Sequence, residues 1–244
     1  MANNVLAIIP ARGCNDEVDH MNLRELGGKP LVWHTINQAQ KSKNIGRVIV
    51  STEDDKVRDL AILSGAEVPF KRPDKFCNGE TSITDIVLYT IEKLNKTEEY
   101  DCEIIVVLFP NTPLKSYKDI DNMINQLNES NLDAVIPFCK KNEFFWTIKD
   151  QKITPINFQT RKKRIDADVL YEENGGIYVY KRAILNSDFS LLNPGTNIGF
   201  YEISKHNAQT IHTTYDFFIL EKLIRLPTGL IDIITKSDPD NIEI

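Results

Sequence analysis

Cysteine is sparse. Cys14, Cys77, Cys102 and Cys139 are the only four, and no two form a C-x-x-C pair. Neither a zinc site nor a disulfide framework is indicated, and the thiols read as buried or incidental. Cys14 sits in a loop where a nucleophile would need a base, and only His20 lies near it in sequence. Long apolar runs are absent too, so no segment is expected to span a bilayer. Positive charge is short: 29 Lys and Arg stand against 35 Asp and Glu, for a net charge of -6. No basic field covers the chain, which argues against a nucleic-acid partner. The start, Met1-Ala-Asn-Asn4, has no basic region, apolar core or cleavage site. It reads as no signal peptide, and cytoplasm is the expected location. Internal repeats and low-complexity linkers are lacking as well.

What is present fits one large α/β domain over residues 1–244. Hydrophobic residues make up 41% and charged residues 26%, a balance able to bury a sizeable core. Val5-Leu-Ala-Ile-Ile-Pro10 is a short apolar, β-branched run, as a strand buried on both faces should be. Pro10 and Gly13 end it. After Leu31 the apolar positions Leu31, Val32, Thr35 and Ile36 recur at helix spacing. A long loop therefore leaves the carboxyl end of a first strand, the edge where open α/β sheets bind ligands.

Alternation continues. Strands are expected at Val48–Thr52, Ala66–Phe70, Glu103–Leu108 and Asp133–Pro137. Helices are expected up to Leu63, over Thr84–Leu94, and over Asp119–Leu127 with Ser116 as a cap. Such alternation means a mainly parallel sheet with helices on both faces. From about 138 to 168 the pattern changes to a β-rich insertion carrying Phe144-Phe145-Trp146 and the basic run Arg161-Lys-Lys-Arg164. That run reads equally as a solvated face or as a group reaching a site. Residues 171–180 return to the core as a strand after a tight Asn174-Gly175 turn. Gly199–Ile203 is a strand, Tyr215–Leu226 a helix, and residues from Lys236 a polar tail.

The order of residues resembles one family. Ala11-Arg-Gly13 after an apolar strand, Asn22 ten residues past Arg12, and Leu26-Gly-Gly-Lys-Pro-Leu31 are similar to the start of acylneuraminate (CMP-sialic acid type) cytidylyltransferases. Asn174-Gly175 with Ile177-Tyr178, and Pro110 with Pro113-Leu-Lys115, continue the likeness. The resemblance implies a three-layer α/β sandwich of the nucleotide-diphospho-sugar transferase type, with the insertion serving a homodimer. It implies transfer of CMP from CTP to a sialic-acid-like keto sugar acid, with Mg2+ as cofactor and pyrophosphate as product. Carried over position by position, it places Ala11, Arg12, Gly13, Asn22 and Ser82 on the nucleotide. Arg12, Lys115 and Arg164 become the catalytic cations, and Lys29 matches as well. Pro110, Thr112, Asn174 and Tyr178 line the sugar pocket, and His212 and Asp216 stand at the metal. The residue types suit these tasks. A guanidinium grips phosphate bidentately, and an amide donates and accepts on a pyrimidine edge.

The chain also departs from that pattern. Asp16, His20 and Met21 stand where the family keeps cations, and Glu17 and Asp19 add two further acids. At an effective dielectric near 20, a unit charge about 4 Å from a phosphate contributes roughly 4 kcal/mol, so the substitutions act strongly against a triphosphate. A cluster of Asp16, Glu17, Asp19 and His20 could gather a metal, or could be a solvated loop. Thr210-Ile-His212 stands where the family has Asp-Ile-Asp, whose alternate carboxylates face one magnesium. Phe109 and Ile165 each replace a glutamine. Three readings therefore stand: a CTP-dependent enzyme; a non-catalytic relative that binds nucleotide or sugar or pairs with an active homologue; and a nucleotidyltransferase for another substrate on the same fold.

Overall fold

The computed structural model describes residues 4–14, 18–77, 81–161, 163, 167–186, 189–190, 192–227 and 230. Asp16, Glu17, Lys162, Arg164, Ile165, Asp166 and the tail from Lys236 fall outside them. The chain begins with β1 (Val5–Pro10). A short hairpin follows, β2 (Glu25–Leu26) and β3 (Lys29–Pro30), turned by Gly27 and Gly28 at φ +60° and +80°. Two consecutive positive φ values are what a two-residue hairpin turn demands, and glycine supplies them without strain. Next come α1 (Leu31–Lys41), β4 (Arg47–Ser51), α2 (Asp55–Leu63) and α3 (Ile83–Glu98). They are followed by β5 (Ile104–Leu108), α4 (Tyr117–Glu129) and β6 (Ala134–Lys141). The last elements are β7 (Trp146–Lys149), β8 (Lys152–Pro155), β9 (Leu170–Glu173), β10 (Ile177–Lys181), β11 (Ile198–Glu202) and α5 (Thr214–Leu223).

The central sheet runs β11-β6-β10-β5-β1-β4, with β9 against the far end of β6. β4, β1, β5, β6 and β11 are parallel, and β10 opposes β5 and β6. Alternate residues of the strands feed two apolar layers. Val5, Ala7 and Ile9 pack with α1, α2 and α4, and Leu6 and Ile8 pack with α3. The sheet therefore lies between helical layers, and β1 and β5 are apolar on both faces for that reason. Ser116 caps α4 as expected, its Oγ accepting from Lys118 N.

Three expectations change. Residues 171–180 form two strands, β9 and β10, because the chain turns at Asn174–Gly176 between them. The strand at Ala66–Phe70 contracts to one bridge, Glu67 beside Ile49; Pro69 has no N–H to extend the ladder. Residues 138–141 belong to β6 in the central sheet. The separate β structure of the insertion is the β7–β8 hairpin, in which all eight residues are exposed. Asn157 ties its base: it accepts from Phe145 N and donates to the carbonyls of Glu143 and Asp168 at 2.7–2.9 Å. Among the described residues no helix is long and apolar enough to cross a membrane.

Candidate functional site

A cleft of about 350 Å3 opens at the carboxyl ends of β1 and β5, the edge expected for an open parallel sheet. One wall carries Arg12, Asn22 and Arg72, the other Phe109, Pro110 and Asn111, and Phe76, Ile83 and Ile86 make an apolar floor. The loop after β1 is bolted to the loop after β4. Ala11 N donates to Ser51 O at 3.0 Å, and Gly13 N to Glu53 Oε1 at 2.7 Å. Gly13 approaches the Asp54 side chain so closely that a Cβ would sit 2.5 Å from its carboxylate oxygen. No other residue fits there without displacing the cap of α2.

Two atoms stand out in this cleft. Asn22 is 4% exposed; its Nδ2 donates to Arg12 O at 2.8 Å, and its Oδ1 has no hydrogen-bond partner in the protein. Arg72 is 2% exposed, paired through Nη2 with Glu53, and its Nε has no partner either. Buried polar atoms are nearly always satisfied. Asn22 and Arg72 thus each bring a buried, unmet polar atom to the lining of one cleft. Burial by itself would raise the Glu53 pKa, but the Gly13 N–H and the Arg72 charge together hold it below the usual carboxylate value.

The other expected residues divide. Pro110 and His212 line the cleft. Ser82 lies at its rim as the N-cap of α3, its hydroxyl donating to Asp85 Oδ2 and accepting from Asp85 N. Thr112 is buried with its Oγ1 3.4 Å from Thr210 Oγ1. Asn174 is likewise engaged, donating to Ala208 O and accepting from Gly176 N. The Tyr178 ring stands edge-on to Phe109, with its hydroxyl donated to Glu173. Lys115 is absent from the cleft lining; it is 1% exposed and points inward. Arg164 falls outside the described residues. The basic run otherwise turns to the hairpin: Arg161 sits 5.5 Å over the Phe144 ring.

Among the described residues of the loop, Met21 and His20 make structural contacts. Met21 replaces a cation and is 6% exposed, packed with Val18, Leu26, Ile211, Phe217 and Leu220. This small apolar cluster holds the loop against α5. His20, at φ +48°, places Nδ1 3.3 Å from Gly13 O and Nε2 3.7 Å from Asp19.

Among the described residues, those at the expected magnesium position do not fit the ion. Asp216 is the capping residue of α5. Its Oδ2 accepts from His212 N, Thr213 N and Thr213 Oγ1 at 2.8–3.1 Å. Thr and neutral His are poor ligands for a hard cation. Among the described residues no group of three His, Cys, Asp or Glu could hold a metal ion. Sequence reading missed Arg72. It also missed the apolar floor of Phe76, Ile83 and Ile86. An arginine directly before a proline, after a buried strand, was the available signal.

A cytidylyltransferase family model matches residues 6–225. The chain belongs to the cytidylyltransferase family. It is 30% identical to the CMP-N,N'-diacetyllegionaminic acid synthase of Campylobacter jejuni, over 91% of this chain and 95% of that one. It is 29% identical to the enzyme of the same name from Legionella pneumophila, over 91% of this chain and 97% of that one. Among solved structures, the CMP:2-keto-3-deoxy-manno-octonic acid synthetase complexed with CTP superposes with a TM-score of 0.67. That structure covers 90% of this chain and 98% of its own at 18% identity, which establishes the shared fold. The fold is thus the three-layer, mainly parallel α/β sandwich of these transferases, and the chain resembles those that move CMP from CTP to keto sugar acids.

Proposed function

We propose that this chain transfers CMP from CTP to a sialic-acid-like keto sugar acid. The anomeric hydroxyl oxygen of the acid bonds to the α-phosphorus and gives up its proton to solvent, the bond from the α-phosphorus to the bridging oxygen breaks, and pyrophosphate leaves with that oxygen. The observation that carries this is the unmet pair in the cleft. Asn22 Oδ1 suits the exocyclic amine of cytosine, and Arg72 Nε suits its carbonyl oxygen. Arg12 lies beside them for the phosphates, and the acid is received at the opposite wall, Phe109–Asn111. Such chemistry asks for positioning and charge more than for covalent catalysis.

The deciding assay is pyrophosphate release from CTP with a panel of keto sugar acids. Release with at least one acid supports the enzyme. Binding of CTP with no release from any acid assigns the chain instead to the non-catalytic nucleotide binders, a reading favoured by the commitment of Asp216 to its helix cap. The same commitment makes a second prediction. CMP affinity stays within about twofold when EDTA replaces magnesium, because the base contacts need no ion. A loss of CMP binding in EDTA would locate a protein-held metal.

The β7–β8 hairpin supports a homodimer. Ile148 pairs with Ile153, and Trp146 with Pro155. Directly opposed residues share a face, so Trp146, Ile148, Ile153 and Pro155 make one apolar surface. Ile148 is 71% and Ile153 64% exposed. A lone two-stranded hairpin is marginal in water and gains most from being covered. The wild-type chain is expected to elute as a dimer at about 10 μM and Ile148→Lys with Ile153→Lys as a monomer, by light scattering after gel filtration. A monomeric wild type would sink the dimer.

A further inference from the structure

Lys115 is the most fully buried cation in the described chain, and the proposed chemistry leaves it unused. It closes the turn from Phe109 that follows β5, and its side chain runs back beneath that turn. The ammonium donates to Phe109 O at 2.7 Å, to Thr112 O, and to Thr35 Oγ1 of α1 at 3.0 Å. Burying an ammonium is costly unless every donor is met, and here three donors meet three acceptors. Burial lowers its pKa to about 7, against acceptors that favour the charged form.

The geometry of the turn gives this cation a task. Phe109 O also accepts from Thr112 N at 3.3 Å. The two carbonyls that Lys115 grips therefore bracket Pro110 and Asn111, which line the cleft. From outside, the wall is held by Phe109 N to Gly176 O at 3.1 Å and by Ile211 N to Asn111 O at 2.7 Å. We infer that Lys115 is a positioning residue: it clasps the turn so that Phe109, Pro110 and Asn111 keep the shape of the wall that receives the acid, and it touches neither substrate. The identity of that substrate rests on the proposed function, whereas the clasp does not.

The test uses the full chain and Lys115→Met, which keeps the buried stem and removes the donors. Amide hydrogen exchange over residues 109–115 is expected to quicken about tenfold or more, with β1 and α1 unchanged. In the pyrophosphate assay, KM for the acid rises about tenfold while KM for CTP stays within about twofold, a split that general loss of fold would not produce. Lys115→Ala with added ethylammonium regains the lower KM. Wild-type exchange in Lys115→Met overturns the clasp, and so does an equal rise in both KM values. If Lys115→Met does not fold, Thr35→Val removes one acceptor only; unchanged exchange at 109–115 in that variant overturns the inference. A wild type that releases no pyrophosphate sinks the proposed function, and the exchange result then decides the clasp alone.

Discussion

Asn22→Ala is expected to weaken CTP binding on the order of 100-fold, corresponding to about 3 kcal/mol. The size follows from what the amide does on its two sides. Its Oδ1 is buried and lacks a partner in the protein, and Asn22 lines the cleft. A ligand donor that reaches it gains a hydrogen bond in a nearly dry site. A ligand that cannot reach it leaves the acceptor unmet, which is how polar pockets discriminate strongly. Its Nδ2 holds Arg12 O at 2.8 Å, so the alanine also loosens the loop that carries Arg12. Calorimetric titration of cytidine beside CTP separates the two effects. Loss of cytidine binding to the same extent as CTP assigns the effect to the base. Unchanged cytidine affinity with weakened CTP assigns it to Arg12 and the phosphates. Wild-type affinity for both would remove Asn22 from the site.

Arg72→Met should produce the largest loss of stability. The guanidinium is almost wholly buried and pairs with Glu53, itself 17% exposed at the side chain. Removing one member of a buried pair strands the other, and such changes cost about 3–5 kcal/mol. Glu53 keeps the Gly13 N–H, so the lower end, about 3 kcal/mol, is expected; for a chain of this size that is a fall in Tm of roughly 6–12 °C. Glu53 makes the loss depend on pH. Its folded pKa lies below the ordinary 4.5, so the stability it contributes is present above that value and disappears as pH falls through the folded pKa. The gap in Tm between wild type and variant is therefore full at neutral pH and narrows in acid. A gap that stays constant down to acid unfolding would exclude the ion pair as its source. The double variant Arg72→Met with Glu53→Gln should lose less than the two single changes together, since each removes a shared interaction.

Both variants bear on the same hinge of the site. Gly13, Glu53 and Arg72 link the loop after β1, the loop after β4 and the segment leading to the apolar floor. Losing Arg72 leaves the carboxylate that holds Gly13 without its ion-pair partner, so nucleotide affinity is expected to fall along with Tm.

Much of this architecture is written locally. Val5–Ile9 and Ile104–Leu108 are uninterrupted apolar runs rich in β-branched residues, and all ten are buried. Runs of that kind are comfortable only in strands covered on both faces. Pro10 and Gly13 then end the first of them, and the ligand edge follows from parallel topology alone. Arg12 and Asn22 are close in sequence to that strand end, so their presence in the cleft was legible. Ser116 and Ser82 are caps because a hydroxyl before a helical run satisfies an open N–H.

The rest depended on partners far apart in the chain. Lys115 has the sequence of a site cation, but Thr35, 80 residues away, and the carbonyls of its own turn draw it inward. Arg72 looks like an ordinary loop residue until Glu53 and the neighbouring cleft surround it. Asp216 resembles a metal ligand by position, yet its carboxylate closes the first turn of α5. Pattern along the chain sets strands, helices and their ends, since those answer to near neighbours. Where a charged side chain finds its partner is decided by which distant segments the fold brings within hydrogen-bond reach, because a buried charge must be met wherever the packing places it.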